Sequence, residues 1–195
     1  MADQKISAMP SAATLTGAEL VPLVQSGANV KSTLSNFAAF TRGNAGAFSS
    51  GVTQTGSISS GTALTFNSTD YAGGVTLASS SRLTVPVAGT YNLQFSVQLS
   101  TDDNAPKDSY IWLRINGTDV AGSAGRVGLP ARKNPGDPFH AIYGWNYFLT
   151  LTAGQYVEIV WLPTATTITI PFYAAQTTPA IPSTQSVVAT IQQVA

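Results

Sequence analysis

The sequence has no cysteine and a single histidine, His140, which excludes many kinds of catalytic and metal site. Without cysteine there is no disulfide bond and no thiolate nucleophile. His140 has no second histidine or cysteine with which to hold zinc, and no acid beside it for a serine triad. Glu158 has no second carboxylate at a defined spacing, so glycosidase chemistry has no support. We predict no enzyme activity, no metal and no cofactor.

Charge is scarce as well. Charged residues make up 9% of the chain, and the nine basic residues balance the nine acidic ones; about 25% is usual. A protein that binds nucleic acid needs a basic surplus to displace counterions from phosphates. A protein that binds an anionic membrane surface needs clustered lysine or arginine, and this chain has no such cluster. We therefore expect neither nucleic acid nor membrane among its partners.

Long apolar runs are also missing. No run approaches the ~20 residues of a membrane-spanning helix. The first five residues, M-A-D-Q-K, are not followed by the apolar stretch of a signal peptide. We expect the protein to be made in a cytoplasm and not exported by the usual route. The glycosylation sequons at Asn67 and Asn116 are then chance matches.

Two charged loops remain as candidate binding sites. The first carries Asp102, Asp103, Asn104 and Asp108, and the second carries Arg126, Arg132 and Lys133. The oxygens of the first loop suit Ca²⁺, but their spacing is not that of an EF-hand, and a solvated acidic turn is the favoured interpretation. The cations of the second loop could grip an anion or a carboxylate-bearing sugar. A solvated loop, or one that contacts a neighbouring subunit, is favoured there.

The strongest pattern in the chain is strand alternation. In residues 145–161 apolar and polar side chains alternate on both sides of a turn at Ala153-Gly154-Gln155, which predicts a β-hairpin. Residues 90–99 alternate even more regularly, and Asn116-Gly117 is the preferred pair for a tight hairpin turn. From Thr62 onward, strands recur at the 8–12-residue spacing of a sandwich or barrel. The fold class predicted is all-β.

Residues 1–43 have a different character. A small hairpin, with Pro22 in an edge strand, precedes a short helix that Thr33 or Ser35 could cap. Ordering the backbone costs roughly 1–2 kcal/mol of conformational entropy per residue. Burial of the few large hydrophobic side chains in this segment cannot offset that cost if the segment folds alone. We favour an anchoring arm over a disordered tail. The predicted anchoring residues are Ile6, Leu15, Leu20, Val21, Leu23, Val24, Val30, Leu34, Phe37 and Phe40.

Residues 44–61 are rich in glycine, serine and threonine and are interpreted as a flexible linker. Residues 62–195 then form the β domain. Within it Phe148 breaks the alternation, because it points with Asn146 and Thr150 away from the core. An exposed aromatic on a sheet face indicates a contact between identical subunits, although scattered surface hydrophobes are common. The predicted interface residues are Asn92, Gln94, Ser96, Gln98, Asn146, Phe148 and Thr150.

Three motifs in the β domain resemble those of the C1q/tumour-necrosis-factor-like family. Residues 89–95 (G-T-Y-N-L-Q-F) are similar to its G-x-Y-x-F strand, and residues 113–117 (L-R-I-N-G) to its L-x-x-N-G hairpin. Residues 149–157 resemble its L-x-L-x-x-G-D-x-V step, with Gln155 where aspartate is usual. The resemblance covers residues 62–195 and implies a jelly-roll sandwich that forms a homotrimer.

The N-terminal stretch, through residues 5–10, 15–25 and 30–33, resembles a segment at the front of tailed-bacteriophage virion proteins. Together the two resemblances imply a homotrimeric capsid decoration (cement) or head-fibre protein on the capsid surface of the virion. Its arm would bind the major capsid protein or another virion protein. The alternative is a short tail fibre or receptor-binding protein, with loops 101–109 and 122–138 binding a host glycan.

Overall fold

The computed structural model describes residues 14–195, apart from the side chains of Ala39 and Phe40. Of the predicted anchoring residues, Ile6 and the Phe40 side chain lie outside the described part. The chain divides into two compact units, Met1–Gly43 and Asn44–Ala195. Almost every element is a β-strand and every sheet pairing is antiparallel, which confirms the all-β prediction. Within residues 14–195, no helix is long and apolar enough to cross a membrane.

In its described part, residues 14–43, the N-terminal unit contains a hairpin followed by a helix. Strands β1 (Leu20–Gln25) and β2 (Ala28–Thr33) pair in register and precede α1 (Leu34–Thr41). Ser26 and Gly27 form the turn, with φ of 52° and 77°, the two left-handed conformations of a two-residue hairpin loop. Of the two candidate caps the chain uses Thr33, whose Oγ1 accepts a hydrogen bond of 3.2 Å from the Asn36 N–H.

The second unit contains sixteen strands. They are β3 (Ala45–Ser50), β4 (Gln54–Thr55), β5 (Thr62–Ala63), β6 (Ser68–Gly73), β7 (Thr76–Ala78), β8 (Arg82–Thr84), β9 (Gly89–Thr101), β10 (Lys107–Ile115), β11 (Thr118–Asp119), β12 (Gly125–Leu129), β13 (Phe139–Leu151), β14 (Tyr156–Pro163), β15 (Ile168–Ile170), β16 (Gln176–Thr177), β17 (Ala180–Ile181) and β18 (Val187–Gln193).

Two seven-stranded sheets enclose one hydrophobic core. The front sheet has the order β4-β15-β9-β18-β3-β6. Strands β18 and β15 pair with one edge of β9, at its residues 91–97 and 100–101, and β13 pairs with the other edge along residues 89–101. The back sheet has the order β11-β10-β14-β8-β7, with β12 paired to β10 and β5 to β14. Core side chains come from both sheets, as expected of a β-sandwich. Tyr91, Leu93, Phe95, Val97 and Leu99 all point inward, as the alternation predicted.

The prediction of a flexible linker at residues 44–61 is wrong. Strand β3 lies inside the front sheet between β18 and β6, and its Phe48 is completely buried, with its ring centroid 6.3 Å from that of Phe66. The small residues of this segment serve close packing. A Cβ atom on Gly46 would lie 2.7 Å from the Phe48 ring, so glycine is needed there for contact and not for flexibility. The β unit therefore begins at Asn44 and not at residue 62.

Candidate subunit interface and anchoring surface

The predicted interface residues share one surface. Even-numbered residues of β9 point away from the core, and the antiparallel register places Phe148 of β13 opposite Asn92 and Asn146 opposite Gln94. Strand β18 continues the surface on the other side of β9, with Thr190 opposite Gln94. We call this surface the front face. It comprises Ala45, Ala47, Tyr71, Asn92, Gln94, Ser96, Gln98, Ile142, Gly144, Asn146, Phe148, Thr150, Val188, Thr190 and Gln192.

The front face carries no charged residue within the second unit, residues 44–195. Asp70 lies at its rim on the edge strand β6, where Ser49 and Ser68 donate hydrogen bonds to its carboxylate. The outer side of the back sheet is different, since it carries charged side chains such as Arg82 and Arg114. Because the cores of protein interfaces are depleted of charged residues, this asymmetry favours the front face as a contact surface.

Large apolar side chains stand out of the front face. Phe148 is 67% exposed, Ile142 is 66% exposed and Tyr71 is 54% exposed. Ile142 is not among the predicted interface residues, because the predicted strand begins at Trp145, whereas β13 begins at Phe139. Following the same period-2 pattern backward through residues 139–144 would have found it.

Two shallow depressions lie between these side chains. The larger, of about 500 Å³, has Gly144, Ser96 and Thr190 among its lining residues. The smaller, of about 220 Å³, has Ala47 and Asn92 in its lining, and the two depressions share Gln94 and Thr190. Projecting aromatic residues and depressions on one uncharged surface are the complementary features that packing between two copies requires.

His140 and Glu158 each contact a neighbouring side chain. His140 lies at the start of β13, where its Nδ1 is 3.0 Å from the hydroxyl of Tyr173 and the two rings are nearly perpendicular. Glu158 accepts a hydrogen bond of 2.7 Å from the Ser81 hydroxyl and lies 3.6 Å from Arg82 Nε. Each group is held by a structural partner.

The two charged loops pair with each other. The ion pairs are Arg126 with Asp108 (2.7 Å), Arg132 with Asp102 (3.3 Å) and, inside the first loop, Lys107 with Asp103 (3.6 Å). The guanidinium of Arg126 lowers the pKa of Asp108, and the Ala105 N–H lowers the pKa of Asp103. Among residues 14–195 no three histidine or acidic side chains gather to hold a metal ion. The acidic oxygens contact cationic side chains instead.

The N-terminal unit leaves much of its apolar surface open. Four predicted anchoring residues are at least half exposed: Leu15 and Leu20 (58% each), Val24 (68%) and Phe37 (50%). Val21, Leu23, Val30 and Leu34 are partly buried. A two-stranded hairpin is marginally stable in water unless its apolar side packs against something else. The unit therefore carries an apolar surface suited to a partner.

A tight turn precedes the hairpin and supplies a reporter of whether this unit is ordered. The Glu19 carboxylate accepts hydrogen bonds from the Thr16 N–H (2.8 Å), the Thr16 hydroxyl (2.8 Å) and the Gly17 N–H (2.7 Å). These donors, the Thr16 N–H foremost, lower the pKa of Glu19 from 4.5 to about 2. The turn is thus fully stabilised above pH 4.5 and loses this stabilisation as the pH falls from 4.5 through 2.

We expect a carboxyl-carbon NMR titration of the full chain to show Glu19 titrating near pH 2. Thr16→Ala removes the hydroxyl donor but keeps the backbone donor, so it should raise the pKa of Glu19 only part of the way to 4.5. A wild-type Glu19 that titrates near 4.5 would show that this turn is not formed in solution.

No protein-family model matches the chain, and no curated protein is similar to it in sequence.

Proposed function

We propose that this protein is a structural component of a tailed-bacteriophage virion, a homotrimeric capsid decoration (cement) or head-fibre protein. The N-terminal unit would attach it to the major capsid protein or another virion protein. The observation that carries the proposal is that the two units of the chain carry two different exposed surfaces. One unit exposes large apolar side chains, and the other presents an uncharged front face.

The strand order of the β unit supports the C1q/tumour-necrosis-factor-like jelly roll in this proposal. The last strand, β18, lies between β9 and β3, so that strands far apart in the chain are neighbours in the front sheet. Such long connections between adjacent antiparallel strands are typical of Greek-key sandwiches, the class that includes jelly rolls. A homotrimer of this kind would be assembled through the front faces of its three subunits.

The ends of the β unit suit attachment from one side. Asn44, its first residue, is bonded to Gln193 near its last, through a Gln193 N–H to Asn44 C=O bond of 2.7 Å and a side-chain bond of 2.7 Å. The charged loops follow the opposite end of β9, at Thr101. In a three-fold symmetric trimer all three Asn44 residues would lie at the same end. Three weakly binding arms would then act together, which raises the effective affinity by 10² to 10⁴.

The decisive experiment measures the protein in purified particles by quantitative mass spectrometry. The full chain and a chain lacking residues 1–43 are each supplied to particles that lack the protein. We expect the full chain in a ratio comparable to that of the major shell protein. The truncated chain should be lost from particles by at least 100-fold and still be a folded trimer, because the arm and the front face act separately.

Each outcome has a distinct meaning. Absence of the full chain from particles would overturn the virion proposal. Retention of the truncated chain would overturn the anchoring role of residues 1–43. A few copies per particle would indicate a fibre at a vertex or on the tail.

A few-copy result would favour the second candidate, a tail fibre or receptor-binding protein that binds a host glycan. One observation supports this candidate. A depression of about 430 Å³ is lined by Lys107, Asp108 and Arg126 together with Pro106 and Pro130, and so joins both charged loops. The side chain of Arg126 is 66% exposed there. Cationic and carboxylate groups beside apolar walls can bind the polar groups of a sugar.

A further inference from the structure

We propose that Phe148 of one copy packs into the larger depression on the front face of the next copy, in a head-to-tail ring. We call this depression the socket; it is lined by Gln94, Ser96, Gly144, Asn146, Val188 and Thr190 above Phe95 and Trp145. The inference rests on the proposed homotrimer and specifies which residues of the front face meet.

The socket exists because two small residues lie side by side in neighbouring strands. Gly144 has no side chain and pairs with Ser96, so the surface dips where its neighbours Ile142 and Asn146 project. A Cβ atom on Gly144 would lie 3.0 Å from the Phe95 carbonyl oxygen, so the backbone geometry favours glycine. Phe95 and Trp145 also contribute to the lining, but their side chains point to the core side of the sheet, so the bottom of the socket is the sheet backbone.

Phe148 cannot fill the socket of its own chain. It lies on the same side of β13 as Gly144 but four residues farther along, which places it about 13 Å away. It is 67% exposed, so its own chain leaves most of it uncovered. Projection and socket are therefore separate patches on one face. Contacts between two different patches are head-to-tail, and they close into a ring when the rotation between copies allows it.

The properties of the face favour a second copy as the occupant. The face offers no charge with which to select a partner of opposite charge, and it already contains both halves of the contact. Five strands and nine residues span about 24 Å by 30 Å, or roughly 700 Å². A stable interface covers about 800 Å² per partner, so the two contacts that each copy makes in a ring must extend beyond the front face onto its rim.

The test uses the absence of cysteine from the natural sequence. The double variant Phe148→Cys with Thr190→Cys is oxidised and run on a non-reducing denaturing gel. Positions 148 and 190 lie on strands separated by β9, about 10 Å or more apart, whereas a disulfide bond needs Cα atoms within about 7 Å. A bond between them can form only between copies. We expect most of the protein in a covalent trimer band.

Matched controls separate the possible outcomes. Phe148→Cys with Thr118→Cys moves the second thiol to an exposed site on the back sheet and should stay monomeric on the gel. Phe148→Cys with Ser96→Cys is a second pair in the socket and should also link. If wild type and both socket variants under reducing conditions sediment as trimers and neither pair links, although maleimide labels the thiols, this packing is overturned while the homotrimer stands. If wild type sediments as a monomer, both this inference and the proposed homotrimer fail.

Discussion

Replacing Phe48 by alanine is expected to lower the free energy of unfolding of the β unit by about 3–5 kcal/mol. The Phe48 side chain is fully buried in the core and contacts the Phe66 ring, so its removal leaves a cavity between the two sheets. Val52 and Ile58 belong to the same glycine- and serine-rich segment but are each 53% exposed. Their replacement by alanine should change stability by about 0.5 kcal/mol or less.

The measurement is urea unfolding of the three variants and wild type, followed by tryptophan fluorescence. All four proteins are compared at one concentration, because association of subunits contributes to the apparent stability of an oligomer. A loss confined to Phe48→Ala supports β3 as an integral strand. Equal midpoints for all the variants would show that residues 44–61 are a linker after all.

Much of the fold was predictable because period-2 alternation is a local signal. Strand β9 shows it from Tyr91 to Leu99, and every inward residue of that series is buried. The hairpin turn at Asn116-Gly117 was also visible locally, since its two residues adopt φ of 48° and 82°, as the tight turn requires. The same alternation identified Phe148 and the polar residues of β9 as one surface.

The linker prediction failed because composition does not show tertiary packing. Glycine and serine are typical of flexible segments, but here they allow a strand to lie close to large side chains. Gln54 illustrates the same limit. Its buried amide donates to the Thr65 C=O and accepts from the Thr65 N–H, each at 2.9 Å, and so holds an irregular segment that carries Leu64 and Phe66 into the core. No local pattern predicts a contact across eleven residues of irregular chain.

The candidate interface could be predicted only in part for a related reason. Its apolar and polar residues were visible in single strands, whereas its lack of charge became visible when five strands were placed side by side. Likewise, the pairing of Arg132 with Asp102 joins loops thirty residues apart. In the second unit, folding places the charged residues on the back sheet, in the loops and, for Asp70, at the rim of the front sheet. This distribution depends on the topology of the strands.

Introducing one negative charge into the front face is expected to convert the trimer into monomers. Thr190 is exposed in the single chain, so Thr190→Asp should leave the fold and its thermal midpoint nearly unchanged. In the proposed ring its carboxylate would be buried beside the apolar socket, and burying an unpaired ion costs several kcal/mol. Three such sites per ring would make association unfavourable at micromolar concentration. Analytical ultracentrifugation should then report the 20.2 kDa monomer.

Thr76→Asp provides the matched control, because it adds the same charge at an exposed position of strand β7 in the back sheet and should remain trimeric. A trimeric Thr190→Asp variant would show that subunits meet through another surface. If the variant is monomeric, it also separates attachment from assembly, because each monomer keeps its arm. A single arm should then bind particles 10² to 10⁴ times more weakly than the trimer. Equal binding by monomer and trimer would mean that one arm suffices, and that the ring serves the particle surface in another way.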